Sequence, residues 1–242
     1  MKNFIATIVS IFCLSGLFAQ PHMNASIQNM HLWRGGEVAD GIVVTTELFY
    51  TDSHEHWKVG FWGGTNSTGD YKEFNYTASY TTNNLQIALS DTYNFSTYAT
   101  YNYEEFFNYI PSETGRFLDL TINYSIGKKN PLTLKWATVL FGRDRDAENR
   151  SNRYSTFCSA EYPIYKNGDW KVDAGVGAAF ALKNIDNSAN FYGDKAGIVE
   201  ATLKVSNVIK INNYEMPIYM LMMWNPQADE AHMQLCIQVI NF

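Results

Sequence analysis

Apolar and polar residues alternate along most of this chain with a period of two. The clearest run is Asp70 to Tyr80, where Phe74, Tyr76, Ala78 and Tyr80 fall on one side and Glu73, Asn75, Thr77 and Ser79 on the other. Successive side chains of a strand point to opposite faces, so the run predicts a ribbon with one apolar and one polar face. The rhythm returns in Leu85, Ile87 and Leu89, and in Leu118, Leu120, Ile122 and Tyr124 against Asp119, Thr121 and Asn123. It returns again from Trp170 through Val172 and Val176 to Phe180, in Val199, Ala201 and Leu203 against Glu200, Thr202 and Lys204, and in Met233, Leu235 and Ile237 against Gln234 and Cys236. Weaker strands fill Ser26–Arg34, Ile42–Tyr50, Trp57–Gly64, Leu132–Phe141, Arg153–Tyr165 and Tyr214–Trp224, the last weakened by Pro217. About twelve strands of roughly ten residues result, the length that crosses a bilayer when tilted and an even number, as in bacterial barrels.

From the fourth connection onward, short and long segments alternate. Tight turns such as Asn83-Asn84, Lys129-Asn130-Pro131 and Asn167-Gly168-Asp169 are separated by longer ones such as Asn94–Gly115 and Gly142–Asn152. Short turns at one rim and longer loops at the other are the asymmetry of outer-membrane barrels. The Asn94–Gly115 connection carries Tyr98, Tyr101, Tyr103, Phe106, Phe107 and Tyr109. An aromatic-rich segment of this length is expected either to fold over the barrel mouth or to contain an extra strand. Aromatics near strand ends (Trp33, Tyr50, Trp57, Trp62, Tyr80, Tyr93, Tyr124, Tyr162, Trp170 and Trp224) suit girdles at the two membrane interfaces.

Composition narrows the class. The start Met1-Lys2-Asn3, the apolar stretch Phe4 to Phe18 and a small residue at Ala19 describe a secretory leader with cleavage after Ala19. Charged residues are 17% and aromatics 15% of the 242 residues; soluble domains carry about 25% charged residues, so the low charge fits a surface that meets lipid. A mean hydropathy of −0.25 argues against a helical membrane protein but not a barrel, whose lumen and loops are polar. The net charge of −6, without basic clusters, leaves no footprint for nucleic acid. Cys158 and Cys236 lack metal-ligand spacing and are expected as free thiols rather than a disulfide.

The pattern therefore predicts an all-β fold, a single antiparallel transmembrane β-barrel of about 12 strands over residues 20–242, behind a leader over 1–19. The expected lumen-lining charges are Glu47, Lys58, Glu73, Asp119, Lys135, Asp173, Glu200 and Lys204. The expected lipid-facing residues are Phe74, Tyr76, Tyr80, Leu118, Leu120, Ile122, Val172, Val176, Val199, Leu203, Leu235 and Ile237. Lumen charges of both signs argue against strong ion selectivity, and a lumen of this size allows a narrow channel or a plugged barrel. The expected partners are outer-membrane lipid, the barrel-assembly machinery and a small polar solute. Phe242 is the kind of terminal aromatic that such machinery reads. It is nevertheless out of phase with Leu235 and Ile237, and a terminal bulge would be needed to restore it.

The segment Leu32-Trp33-Arg34-Gly35-Gly36-Glu37, with Asp40-Gly41 after it, resembles the start of the TorF-like family of small exported porins. Phe61-Trp62-Gly63-Gly64-Thr65-Asn66, followed by Asp70, Tyr71 and Glu73, resembles that family's third and fourth strands. The likeness implies an outer-membrane barrel and transfers no catalytic residues.

Candidate chemistry is sparse. His54 and His56 flank Glu55 on a short turn, where they are expected in water rather than on a metal. His31 and His232 lie in the first and last strands, which closure makes neighbours, and are expected as a polar pair in the lumen. No Gly-x-Ser-x-Gly elbow occurs, so neither catalytic residues nor a cofactor are expected. The mixed-charge segment Arg143–Arg153 reads as a solvated loop. Two other readings share the alternation: a secreted soluble β-sandwich or lipocalin-like binder, with its apolar face inside, and a membrane-embedded hydrolase.

Overall fold

The structure, a computed structural model, describes residues 20–97, 99–127, 129, 131–183 and 189–242. The leader over 1–19, Tyr98, and Asn130 of the expected Lys129-Asn130-Pro131 turn lie outside the described residues. In chain order the strands are β1 (Gln20–Gln28), β2 (His31–Trp33), β3 (Gly36–Ala39), β4 (Val43–Thr51), β5 (Trp57–Asn66), β6 (Lys72–Thr81) and β7 (Leu85–Asn94). They continue as β8 (Arg116–Ile126), β9 (Leu132–Gly142), β10 (Ser155–Asn167), β11 (Trp170–Ala181), β12 (Gly197–Ile211), β13 (Tyr214–Asn225) and β14 (Glu230–Asn241). Twelve of them close into one antiparallel barrel in which β1 pairs with both β4 and β14, while β2 and β3 form a separate ribbon. Closure leaves no unpaired strand edge, the condition for crossing hydrocarbon with strands.

The strand phases are fixed by an interior cavity. Glu73, Asn75, Thr77, Ser90, Thr92, Asn94, Asp119 and Thr121 all line it, so these positions of β6, β7 and β8 point inward. The ladder registers carry that phase around the wall. The opposite face is apolar, with Leu48, Phe61, Ile87, Leu89, Trp136, Val176 and Leu235 all exposed. A continuous apolar exterior around a polar interior is the inverse of a soluble sandwich and is the pattern of a membrane barrel. Tyr50, Trp57, Tyr124, Tyr162 and Trp170 stand exposed where the strands meet the short turns, forming a girdle at that rim. Trp33 and Trp62, expected in a girdle, instead line the interior cavity.

Of the expected lipid-facing residues, Phe74, Tyr76, Tyr80, Leu118, Leu120, Ile122, Val172, Val176, Leu203, Leu235 and Ile237 occupy the outer phase. Val199 does not: it is fully buried against Phe157, Ala179 and Tyr192. The cause is a bulge. Gly177 faces Glu200, yet Ala178 faces Ile198, so Val199 is an extra residue that turns inward. A second bulge repairs the last strand, where Ala25 pairs with Ile240 but Ser26 with Gln238, leaving Val239 over. This puts Ile240 and Phe242 back in phase with Leu235 and Ile237. The strand expected from Ser26 to Arg34 instead starts at Gln20 and leaves the wall after Gln28. The expected connection Asn207–Asn213 is mostly strand, because β12 keeps its ladder with β13 as far as Ile211 and Tyr214.

The long connection after β7 straddles the wall and forms no strand among its described residues. At the mouth, Tyr101 lies 3.7 Å (ring centroid) from the Arg143 guanidinium. Further on, Phe106 and Tyr109 cover an ion pair on the outer face. Arg116 reaches Asp91 Oδ1 at 3.0 Å and donates through Nε to the Phe106 carbonyl at 2.7 Å. The Tyr109 hydroxyl donates to Asp91 Oδ2 at 2.7 Å. Burial, reinforced by that bond, pushes the Tyr109 phenol up to about 12. Arg116 is 1% exposed although its strand position points outward. The loop thus shields a charge pair that would be costly against lipid.

Leu120 lies mid-strand on the outer face. Leu120→Arg is expected to destabilise the barrel by about 2–4 kcal/mol in reversible folding into lipid vesicles. A change below about 0.5 kcal/mol, typical of a water-facing site, would contradict the outward assignment.

Candidate functional site

The first long connection turns into the lumen. After β1, the Asn29 side chain donates to the Met233 carbonyl at 3.0 Å and accepts the Leu235 N–H at 2.6 Å, pinning the exit to β14. The chain then forms the β2–β3 hairpin, with Trp33 facing Gly36 across a two-residue turn. Arg34 (φ 47°) and Gly35 (φ 87°) are both left-handed, as a type I′ turn requires. Gly35 is also required by space, because a Cβ there would sit 2.4 Å from the Val199 carbonyl oxygen.

The tip is locked by Arg34. Its guanidinium makes a two-pronged bond to Asp119, at 2.8 Å to Oδ1 and 2.6 Å to Oδ2. It also donates to Thr121 Oγ1 at 2.9 Å and to the Tyr192 hydroxyl at 2.7 Å, and lies 4.5 Å from the Trp33 ring centroid. Burial pushes the Tyr192 phenol up to about 12, so it stays protonated while accepting that bond. Asn225 donates to the Gly35 carbonyl at 2.9 Å, and the Glu200 carboxylate accepts a backbone hydrogen bond from Gly35. Trp33 packs among Phe117, Phe191 and Tyr192 with ring centroids 5.5–6.1 Å apart. At the hairpin base Gln234 donates to Gln28 and to the Met30 carbonyl, and Gln28 meets His31 at 2.9 Å.

The hairpin leaves an eccentric cavity of about 410 Å³ between itself and the wall of β4 to β8. Glu47, Glu73 and Asp119 line it. Glu73 is held by amide donors from Asn75 at 2.9 Å and Asn94 at 3.2 Å, and Glu47 is paired with Lys58 at 2.6 Å. Arg143 lines the mouth end. The other expected lumen charges sit elsewhere on the inner face. Lys135 lies among Arg34, Glu200 and Asp119, Asp173 meets Lys171 at 2.8 Å, and Lys204 lies 4.5 Å from the Tyr219 ring centroid.

Several expectations are revised. His31 and His232 do not form a pair: His31 packs against Trp62 and Tyr71, while His232 meets Glu37 of the hairpin at 2.9 Å. The segment Arg143–Arg153 is solvated only in part. Asp144 is buried, accepting the Ser155 N–H and hydroxyl at 2.7 Å, and burial raises its carboxyl above the usual range against those bonds. Arg143 joins the lumen, as do Phe191 and Tyr192 from the connection before β12; nothing in the alternation marks these residues. Arg34 carried one local signal, the Trp33-Arg34-Gly35 run of the segment that resembles TorF-like porins, but not its partner Asp119. Cys158 points outward beside Trp136 and Ala178 while Cys236 is buried on the inner face, and both are free.

No family model matches the chain, and no curated protein sequence matches it. Among solved structures, an outer membrane channel from Pseudomonas putida resembles it with a TM-score of 0.46 at 12% identity, covering 93% of this chain and 96% of that one. A bacterial polysaccharide outer membrane secretin resembles it with a TM-score of 0.38 at 9% identity, covering 91% of this chain and 96% of that one. The TorF-like likeness of the first loop has no counterpart in these comparisons. The class defined by the fold is a closed outer-membrane-type β-barrel with an inward hairpin, and it rests on the strand registers and faces described above.

Arg34→Ala would leave Asp119 buried without its partner. Breaking such a pair costs about 3–5 kcal/mol. The variant is expected to unfold at lower denaturant concentration in detergent and to lose the wild-type heat-dependent gel mobility at a lower temperature. Wild-type stability in this variant would mean that the hairpin is not held by this pair.

Proposed function

We propose that the protein is an outer-membrane channel for small polar solutes, narrowed by its own first loop. The observation that carries this reading is the eccentric cavity itself: the hairpin fills only part of the lumen and leaves a polar passage wall on β6 to β8. A barrel serving only as a scaffold has no need of a gap bordered by Glu73, Asn75, Thr77, Ser90 and Thr92 beside its plug. The apolar belt and the aromatic girdle fit a bilayer on the outside, with membrane lipid and the barrel-assembly machinery as the partners such a barrel requires. The loop that resembles TorF-like porins is the narrowing element itself, which ties that likeness to the same role. The mixed charges of the lumen fit weak ion selectivity.

The test is single-channel recording in planar bilayers. Wild-type protein is expected to give small, stable openings. A variant with residues 32–38 replaced by a short Gly-Asn turn is expected to conduct several-fold more, with more noise. Silence from both proteins, each shown to be folded and inserted, would replace the channel with a plugged barrel.

A further inference from the structure

The connection between β7 and β8 does more than cover a charge pair. We propose that its tip, residues 106–110, lies in the hydrocarbon of the outer leaflet, so that the barrel grips the membrane with a loop as well as with its strands. The inference concerns the outer wall and holds whether or not the lumen conducts.

The first ground is position. Phe106 packs against Phe74, Tyr76 and Tyr93, with ring centroids 5.2–6.4 Å apart, and all three stand on the outer face. Tyr109 bonds to Asp91, which faces Tyr76 and Leu118 across the ladders. The tip therefore hangs down the outside of β6 to β8. Its depth follows from the girdle. Tyr124 belongs to the girdle at the short-turn rim, and Arg116 lies eight residues away on the same strand, at its other end. With a rise of about 3.3 Å per residue and a tilt of about 35–45°, Arg116 stands roughly 20 Å above that girdle. The apolar band of such barrels is about 25 Å tall. The ion pair and the tip that covers it thus fall within the band, on the long-loop side.

The second ground is what the tip presents to its surroundings. Phe107 is 80% exposed and Ile110 is 52% exposed, and Leu89 on the wall nearby is exposed as well. Water gives no reason to hold two large apolar side chains out on a loop, whereas hydrocarbon does. The patch is continuous with the apolar exterior already described, so one occupant, lipid, covers both.

The third ground is the backbone. Irregular backbone at membrane depth needs protein partners for its polar groups. The Asn108 N–H donates to the Glu105 carbonyl at 3.1 Å, and the Ile110 N–H to Asn108 Oδ1 at 2.9 Å. The Phe106 carbonyl accepts from Arg116 Nε at 2.7 Å and the Asn108 carbonyl from the Thr114 hydroxyl at 2.6 Å. The Ile110 carbonyl accepts the N–H groups of Glu113 and Thr114, each at 2.9 Å. Glu105, beside the tip, accepts the side-chain amides of Asn102 at 2.6 Å and Asn108 at 2.9 Å. The two ends of the segment return to the mouth side: Tyr101 stacks on Arg143, and the Ser112 carbonyl accepts the Asn149 side-chain amide at 2.7 Å.

The experiment uses the full-length protein in phosphatidylcholine vesicles, with nitroxide spin labels read by collision with oxygen and with a water-soluble nickel chelate. Oxygen concentrates in hydrocarbon and the chelate stays in water. The parent carries Cys13→Ala and Cys158→Ala, while Cys236, buried on the inner face, stays and gives the background to subtract. Labels are placed through Phe107→Cys and Ile110→Cys, with Leu120→Cys as the lipid reference and Glu148→Cys, on an exposed loop, as the aqueous one. The oxygen-to-nickel collision ratio at Phe107 and Ile110 is expected to be several-fold above that at Glu148 and close to that at Leu120. A ratio nearer the Glu148 value at either position would put the tip in water and overturn the placement. Shielding from both reagents would mean a protein cover, such as a second barrel, and would overturn it too. Leu120 behaving like Glu148 would instead remove the bilayer from around the barrel, and the loop placement with it. Folding is checked by heat-dependent mobility; if one labelled variant fails to fold, the other decides.

Discussion

Every backbone N–H and C=O of a strand in hydrocarbon needs a protein partner, and that constraint organises this molecule. It is met only by closure, in which β1 takes β4 on one side and β14 on the other. Closure in turn demands that the first and last strands agree in both pairing and face. A plain alternating β14 would fail, because its residues after Ile237 fall on the wrong side. The extra residue at Val239 resolves the conflict by shifting the register once, between Ala25 and Ser26. The bulge at Val199 turns one apolar side chain into the interior, where it supports the hairpin tip from beneath Gly35.

A closed barrel of this many strands is too wide for wall side chains alone to fill. The inward hairpin, joined by Phe191 and Tyr192, occupies much of that space. Its anchor is an ion pair, Arg34 with Asp119, whose two side chains are 9% and 6% exposed. A buried pair is a weak source of net stability, since desolvation offsets much of the attraction. Its geometry is strict, however. The two-pronged contact, with Thr121 and Tyr192 accepting further guanidinium N–H bonds, admits one position of the tip. That position sets where the remaining gap lies and which wall residues border it.

The outer face shows the same economy in reverse. Asp91 and Arg116 occupy outward positions that alternation assigns to apolar residues, and the pair is covered by Phe106 and Tyr109 rather than left to lipid. The connection that does this also sends Tyr101 to the mouth, so one segment contacts both the outer wall and the lumen entrance. Phe107, 80% exposed at the crest of this segment, continues its aromatic character outward.

Residue order by itself determined the strand character of most of the wall, the approximate number of strands, the sorting of short and long connections from the fourth onward, and the two-faced alternation along the clearest ribbons. These properties are local: the two faces of a strand follow from backbone geometry with a period of two, and selection by lipid on one side and water on the other writes that period into the residues. The exceptions were not local. Val199 and Val239 owe their places to register shifts that depend on a neighbouring strand. Arg34 owes its role to a partner 85 positions away, and His232 meets Glu37 only because the hairpin folds inward. Which loop enters the lumen, what it leaves open and which charges it neutralises were decided by tertiary structure, because packing inside a closed wall depends on contacts between segments that alternation does not encode.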